Sequence, residues 1–375
     1  MAASDPLPDP DRLEGAPHPR ETARVHGHAA AEAAILQAFN SGRLHHAWML
    51  TGPKGIGKAS LAWRIARFLL AAPDADGGMF APPPPATLDV ATDHPVSRRM
   101  LQLAEPRHFL LRRGPNDKET ALSQVIAVDD VRKMKSFFAL SAADGGRRTA
   151  IIDALDDMNP ASANALLKLL EEPPANVTLL LVAHRPARLL PTIRSRCREL
   201  RLAPLTADDL ALALAAAGGE VAPEDQTALA ELSAGSVGEA FRLTNLDGIR
   251  LYAGLIGLMT SLPRLDRPRA LHLAELGAGK AVETFDLILT LIDLFLARLA
   301  RRGVTGVAVP EAAPGEAALL ARLAPGPRHG RAWAELAESL SSRARRGKAV
   351  NLDPAALLMD ILLRIDATAG SLAQR

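Results

Sequence analysis

The sequence predicts an α/β fold with a parallel sheet, followed by a region that is all helix. An apolar run ending at Met49 leads into the glycine-rich loop 52–57, which opens an apolar-periodic segment reaching Leu70. Short apolar runs then alternate with helical patterns, at residues 108–112, 149–152, 177–182 and 199–202. Strand patterns cease beyond Pro204. Because strands that alternate with helices form parallel sheets covered on both faces, we expect the ligand at the carboxyl ends of the strands.

Composition limits the class of protein. The 375 residues, 48% hydrophobic, are enough for two or three domains with cores. The net charge of +2 argues against a standalone DNA-binding protein. A local group of arginines is typical of a solvated face: Arg98, Arg99, Arg107, Arg112 and Arg113.

The chain has one cysteine, Cys197, which excludes an internal disulfide and a cysteine-rich zinc site. We therefore expect no zinc and a cytoplasmic protein, with Cys197 a small buried hydrophobe. The pair His45 and His46 has no carboxylate or cysteine at ligand spacing, so we predict no metal there. The most apolar late stretch, 287–299, contains Asp293 and is too short for a membrane span.

Four segments are predicted. Residues 1–22, rich in Pro, Asp and Ala, are expected to be a flexible lead-in. Residues 23–204 form the α/β domain, with a proline-rich loop at 73–93 that cannot be regular structure. Residues 205–245 form a small helical domain that begins behind Thr206 as a cap, and residues 246–375 a helical third domain.

The loop 52–57 has the spacing of a P-loop, in which glycines let backbone N–H groups surround phosphate oxygens and a lysine reaches the outer phosphates. Gly52, Gly55, Gly57 and Lys58 are the candidate nucleotide-binding residues. A P-loop ends in a Ser or Thr that ligates Mg²⁺, and this chain has Ala59 in that place. The sequence therefore predicts a phosphate site that lacks a metal ligand.

The run 149–152 ends in Asp153, as does a Walker B strand, whose terminal Asp orients Mg²⁺. Asn159 is the predicted N-cap of a helix at 160–172, with Pro160 in its first turn. Arg196 lies in a Ser-Arg-Cys segment before the last strand. From the residues alone, Arg196 is either a functional group or a surface arginine that caps a helix C-terminus.

The segment Ala-Asn-Ala-Leu-Leu-Lys-x-Leu-Glu-Glu-Pro-Pro at 163–174, with Arg-Ser-Arg-Cys at 194–197, resembles the bacterial DNA polymerase III clamp-loader subunits of the AAA+ superfamily. The pattern Val-Asp-Asp-Val-Arg at 128–132 also fits, and the resemblance covers about 25–243. It implies an AAA+ domain, a helical lid at 205–245 and a C-terminal collar that assembles a ring.

Departures from the family pattern indicate which kind of subunit this is. Where motor subunits have a Thr, a catalytic Glu and a lid arginine, this chain has Ala59, Ala154 and Gly238. The four zinc-binding cysteines are replaced by the loop 73–93. Arg196 is retained, and in the family this arginine reaches the nucleotide of the neighbouring subunit as an arginine finger in trans.

The resemblance thus implies a largely ATPase-inactive stator of the clamp loader within the DNA-directed DNA polymerase holoenzyme. It would help to load the sliding clamp onto primed DNA, with a motor subunit and a delta-like subunit as ring partners. Its degenerate site, Gly52, Gly55, Gly57, Lys58 and Asp153, would hold ATP or ADP without turnover, or no nucleotide. Two alternatives remain. Ala59 and Ala154 argue against an active ATPase motor subunit, and the net charge argues against a standalone DNA-binding AAA+ protein.

Overall fold

The computed structural model describes residues 9–13, 15–73, 83–116, 118, 120–139, 146–279 and 282–374. They form two compact units. The first comprises the chain up to Gly219 together with Ser236–Gly238, and the second comprises Glu220–Gly235 and Glu239–Arg375. The predicted α/β class with a parallel sheet and a helical C-terminal region is confirmed.

The first unit contains a parallel five-stranded sheet in the order β2-β3-β4-β1-β5. Its strands are β1 (Ala47–Thr51), β2 (His108–Arg112), β3 (Arg148–Asp153), β4 (Val177–Ala183) and β5 (Arg198–Arg201). Thr51 pairs with Ala183 and Arg112 with Asp153, so the carboxyl ends of β1, β4, β3 and β2 meet along one edge. Trp48, at the other end of β1, pairs with Arg198, the first residue of β5.

Helices cover both faces of the sheet. They are α1 (Ala29–Asn40), α2 (Lys58–Ala71), α3 (Pro95–Leu101), α4 (Val128–Ala139), α5 (Pro160–Glu171), α6 (Pro191–Arg194) and α7 (Ala207–Ala216). Trp48 and Leu50 of β1 pack with α1 and α2, whereas Met49 packs on the other face with α4 and α5. This alternation follows from the two-residue period of a strand.

Caps at two helix starts are as predicted. The Asn159 side chain accepts a hydrogen bond from the Ser162 amide at 2.9 Å, and the Thr206 hydroxyl accepts one from the Asp209 amide at 3.2 Å. The described part of the proline-rich loop, residues 73 and 83–93, contains no helix or strand, and residues 74–82 lie outside the described residues.

The described part of the N-terminal segment differs from a loosely ordered lead-in. Asp9 and Asp11 both pair with Arg112 at the end of β2. His18 is fully buried, and the Arg20 carbonyl accepts a hydrogen bond from Arg67 of α2 at 2.5 Å. Composition misses this order because the partners that fix the segment lie far along the chain.

The arginine group at 98–113 also differs from a freely solvated face. Arg99 and Arg107 both pair with the buried carboxylate of Glu105, at 2.8 and 3.1 Å. Arg113 pairs with Asp157 at 3.2 Å. These arginines therefore neutralise buried or half-buried acids of their own unit.

The second unit is helical throughout its described regular structure. It contains α8 (Gln226–Ser233), most of α9 (Val237–Asn245), α10 (Gly248–Met259), α11 (Arg267–Gly277), α12 (Val282–Thr305), α13 (Glu316–Leu323), α14 (Pro327–Ala349) and α15 (Pro354–Ala373). Helix α7, which the sequence assigns to the lid, belongs to the first unit, and the lid and collar boundaries stay a prediction. No helix among the described residues has both the length and the apolar character needed to cross a membrane.

A buried ionic network joins four helices of the second unit. The Glu316 carboxylate, 0% exposed, accepts hydrogen bonds from the Tyr252 hydroxyl and the Arg298 Nε, each at 2.6 Å. Its other oxygen accepts the Ala312 amide at 2.7 Å, and Arg298 also donates to Glu231 at 2.9 Å. Although burial by itself lowers the pKa of Arg298, its bonds to Glu316 raise that pKa above the usual value.

We predict that Arg298→Met destabilises the protein by about 3–5 kcal/mol, because it leaves the Glu316 carboxylate buried without its cation. Arg364→Met removes a half-exposed pair with Asp360 and should cost at most about 1 kcal/mol. Urea denaturation of both variants and the parent chain measures the difference. Equal losses in the two variants would contradict the structural role of the network.

Candidate functional site

The loop between β1 and α2 has a backbone that glycine favours. Gly52, Gly55 and Gly57 have φ values of 139°, 79° and 96°, which L side chains rarely adopt. A Cβ at position 52 would lie 2.5 Å from the Leu202 carbonyl oxygen. The three glycines are therefore required by this loop conformation, independently of any ligand.

Lys58, the first residue of α2, is 3% exposed and turns back into the loop. Its ammonium donates to the carbonyl oxygens of Gly52, at 2.8 Å, and Pro53. Burial lowers the pKa of Lys58 to about 8, against the opposing charges of Asp153 and Asp156. The ammonium group that would meet a phosphate is thus hydrogen-bonded to the carbonyl groups of its own loop.

The residues that follow Lys58 provide no hydroxyl at the metal-ligand position. Position 59 is Ala, and the Ser60 hydroxyl accepts a hydrogen bond from Thr22 at 3.4 Å. One residue further along a helix turns the side chain by about 100°. Ser60 is therefore engaged with the N-terminal segment and does not replace the missing ligand.

The segment Ser236–Gly238 lies against the P-loop within the first unit. The Ser236 hydroxyl donates to the Lys54 carbonyl and the Gly238 amide to the Gly55 carbonyl, both at 3.0 Å. A Cβ at Gly238 would lie 3.0 Å from the Gly55 Cα. An arginine at position 238 would require the two backbones to separate, which explains why glycine suits this contact.

Asp153 ends β3, two strands away from β1 along the same edge of the sheet. Burial raises the pKa of Asp153 to about 7, and the Asp11 carboxylate adds to that rise. The next residue, Ala154, is buried and has no group that can position water. Asp153 therefore ionises less readily than an ordinary carboxyl, and position 154 adds no carboxylate to it.

Sequence reasoning missed His184, the residue directly after β4, the strand that lies between β1 and β3. Burial lowers the pKa of His184 to about 4, and the charge of Lys58 contributes. Its backbone amide donates to Asp156 at 2.6 Å, and its Nδ1 is buried without a hydrogen-bond partner among the described residues. The signal in the sequence is its position at the carboxyl end of a buried strand.

Asp9, Asp11 and His18 bring three possible ligand atoms within 4.8 Å of one another. The His18 Nδ1 accepts the Arg20 amide at 3.1 Å, so Nε2 carries the hydrogen that faces Asp11 at 3.2 Å. Although burial alone would raise the pKa of Asp11, His18 and Arg112 lower it below its usual value. Arg112 already pairs with both acids and the His18 ring lies 3.2 Å from Asp11, so we assign no metal to this cluster.

Arg196 is not brought to the P-loop. It precedes β5, whose first residue pairs with Trp48, so Arg196 lies at the amino edge of the sheet. From Trp48 to Thr51 the strand rises by about 10 Å, which separates Arg196 from the loop by at least that distance. Arg196 therefore cannot serve the nucleotide site of its own chain without a rearrangement of the sheet.

The side chain of Arg196 is held on the surface. It is 36% exposed, pairs with Glu171 at 2.8 Å and donates to the Thr192 carbonyl at 3.0 Å. The neighbouring Cys197 packs partly buried against the core, and burial raises the pKa of its thiol to about 12. Cys197 is thus an inert packing residue, as the sequence predicts.

Residues 27–206 match the family model described as DNA polymerase III, delta subunit. The match covers 180 of the 375 residues, just under half of the chain. A Pseudomonas aeruginosa PAO1 protein named DNA polymerase III subunit delta′ is 40% identical over 152 residues, 40% of this chain and 41% of that protein. The match therefore spans less than half the length of that relative.

Further relatives extend the match. The Escherichia coli K12 delta′ subunit is 28% identical over 88% of this chain and 92% of its own length. A Mycobacterium tuberculosis H37Rv gamma/tau subunit is 30% identical over 50% of this chain and 29% of that protein. A Thermotoga maritima gamma subunit-related structure has 17% identity and a TM-score of 0.39, covering 88% of this chain and 98% of its own.

The raised pKa of Asp153 predicts how its removal affects stability. A carboxyl whose pKa is higher in the folded than in the unfolded chain lowers the free energy of unfolding most at high pH, where the folded form must ionise it. Asp153→Asn should therefore stabilise the α/β domain at pH 8 relative to pH 5, by about 2 kcal/mol. Asp129→Asn, at an exposed acid, is the control. A gain for Asp153→Asn that is equal at both pH values would show that the carboxyl is not perturbed.

Proposed function

We propose that the chain is a delta-prime-like subunit of the DNA polymerase III clamp loader that does not hydrolyse ATP itself and supplies Arg196 in trans to a neighbouring ATPase subunit. One observation carries the proposal. Positions 59 and 154 of the candidate nucleotide site are alanine, while a partly exposed arginine lies at the opposite edge of the same sheet.

Hydrolysis of a γ-phosphate needs a metal ion, a group that positions water and positive charge on the transferring oxygens. Here Ala59 offers no hydroxyl, Ala154 no carboxylate, and Lys58 is engaged with two carbonyl groups. Gly238, in contact with Gly55, supplies no guanidinium. Nucleotide binding requires Lys58 to exchange its carbonyl partners for phosphate oxygens. Because positions 59 and 154 supply neither a metal ligand nor a carboxylate, we propose that any bound ATP or ADP is not turned over.

Arg196 has the properties expected of a group that acts in trans. An arginine finger accelerates phosphoryl transfer by about 10³- to 10⁵-fold where it operates, and this one lies away from its own P-loop. An arginine finger in a chain whose own P-loop is degenerate is therefore useful only if the phosphate belongs to another chain. The planar guanidinium matches phosphate oxygens in a way that a lysine ammonium does not.

The relatives support the choice of partners. They are named as delta′ and gamma/tau subunits of DNA polymerase III. We propose a ring with a gamma/tau-like motor subunit and a delta-like subunit, assembled through the helical region from residue 246, which acts on the sliding clamp and primed DNA. No polymerase chemistry is proposed for this chain, and no zinc is required by it.

The purified chain should hydrolyse ATP no faster than a blank, because metal and water positioning are both absent. Ala59→Thr should also be inactive, since position 154 still lacks a carboxylate. Steady-state phosphate release measures both. Turnover that Lys58→Ala abolishes would instead identify the chain as a motor subunit.

Arg196→Ala should leave folding and assembly within about 0.5 kcal/mol of the parent, because the side chain is partly exposed and its pair with Glu171 lies at the surface. In the reconstituted loader, however, it should abolish clamp- and DNA-stimulated turnover at one ATPase site. Arg196→Lys should rescue little. Arg194→Ala, at a nearby exposed arginine of α6, is the matched control and should keep full activity. Full activity of the loader with Arg196→Ala would contradict a role in trans.

A further inference from the structure

The amino edge of the sheet presents a pair of opposite charges on two anchored pieces of backbone. Glu171 is the last residue of α5, directly after the buried residues Leu169 and Leu170. Ile193, 2% exposed, and Cys197 pack in the same core cluster as those leucines. The backbone on which each charged side chain is mounted is therefore fixed by the core.

The Arg196 guanidinium is held at two of its nitrogens. One Nη donates to the Thr192 carbonyl at 3.0 Å and lies 3.4 Å from the Ser195 hydroxyl. The other Nη is 2.8 Å from the Glu171 carboxylate. Thr192 and Ser195 belong to the same short segment as Arg196. Of these three contacts, Glu171 alone comes from a different element, helix α5. It fixes the direction in which the guanidinium leaves the segment.

We infer that Glu171 is a positioning residue for Arg196, which orders the guanidinium before a neighbouring subunit's phosphate arrives. The inference rests on the proposed function. An arginine has many rotamers, and a side chain already held in one of them loses less freedom when it binds.

The size of the effect is bounded by the exposure of the pair. Glu171 is 48% exposed and Arg196 36%, and pairs at this exposure contribute modestly. Conversion of that contribution to a rate gives about a two- to fivefold loss on removal of the carboxylate. The loss should appear in kcat and leave KM unchanged, because the arginine assists the transition state and the nucleotide is bound by the other chain.

The experiment measures the ATPase kcat and KM of the reconstituted loader in 50 and 300 mM salt, carrying Glu171→Gln, Glu171→Asp, Arg196→Ala or the double variant. Glu172→Gln is the matched control, since Glu172 is the next residue and has no ion pair among the described residues. We expect Glu171→Gln to lower kcat two- to fivefold at low salt and less at high salt, where the pair is screened. Glu171→Asp should fall between Glu171→Gln and the parent, and Glu172→Gln should equal the parent. In the double variant Glu171→Gln should add nothing to Arg196→Ala.

Each contrary result has a separate meaning. If Arg196→Ala loses turnover and Glu171→Gln does not, Glu171 has no positioning role and the proposed function stands. If Glu171→Gln lowers turnover by the same factor in the Arg196→Ala background as in the parent, its effect does not act through Arg196, and the inference is overturned. An increase in kcat would identify Glu171 as a restraint that competes with phosphate, which also overturns it. If Arg196→Ala keeps full turnover, the proposed function fails and this inference with it.

Discussion

The burial of one ammonium group governs the candidate nucleotide site. Lys58 stands at the start of α2 with almost no access to solvent, so its charge must be met by nearby oxygen atoms. The glycine conformation of the loop turns the Gly52 and Pro53 carbonyls toward it. Because the loop satisfies its own lysine, it is stable as a closed turn. A phosphate would have to displace those contacts without help from a metal ligand at position 59.

The parallel sheet separates the two functional ends of the chain. Its carboxyl edge gathers the P-loop, Asp153 and His184, and its amino edge carries Arg196 with Glu171. In one chain these edges cannot cooperate, since the length of the strands lies between them. In a ring of similar chains, the amino edge of one subunit can face the carboxyl edge of the next. The proposed role of Arg196 in trans is therefore compatible with alanine at positions 59 and 154.

Much of the fold can be predicted from the sequence because the patterns that mark its strands and helix caps are local. The buried strands appear as apolar runs, and Asn159 and Thr206 are caps whose bonds lie within one turn. The order of the N-terminal segment cannot be predicted in this way, since Asp9 and Asp11 pair with Arg112, about a hundred residues away. Helix α13 is only 8 residues long and is also hard to predict. Short helices depend on what they pack against more than on their own periodicity.

The site was predictable where chemistry is coded by spacing and not where it depends on tertiary contact. The glycines, Lys58 and Asp153 follow from the P-loop and Walker B patterns, and the structure brings them to one edge. The contact between Gly238 and Gly55, the position of His184 and the Glu171 partner of Arg196 require the folded chain. Each of them joins segments that no local pattern connects.

A role of Arg196 in trans requires its guanidinium to reach a nucleotide held by another subunit. The most direct test is a structure of the assembled loader with ADP and beryllium fluoride, which mimics the terminal phosphate, on the motor subunits. We expect the Arg196 guanidinium to lie within hydrogen-bond distance of the fluoride group on the adjacent P-loop. An assembly in which Arg196 faces solvent, or contacts only Glu171 of its own chain at a distance from every nucleotide, would contradict it.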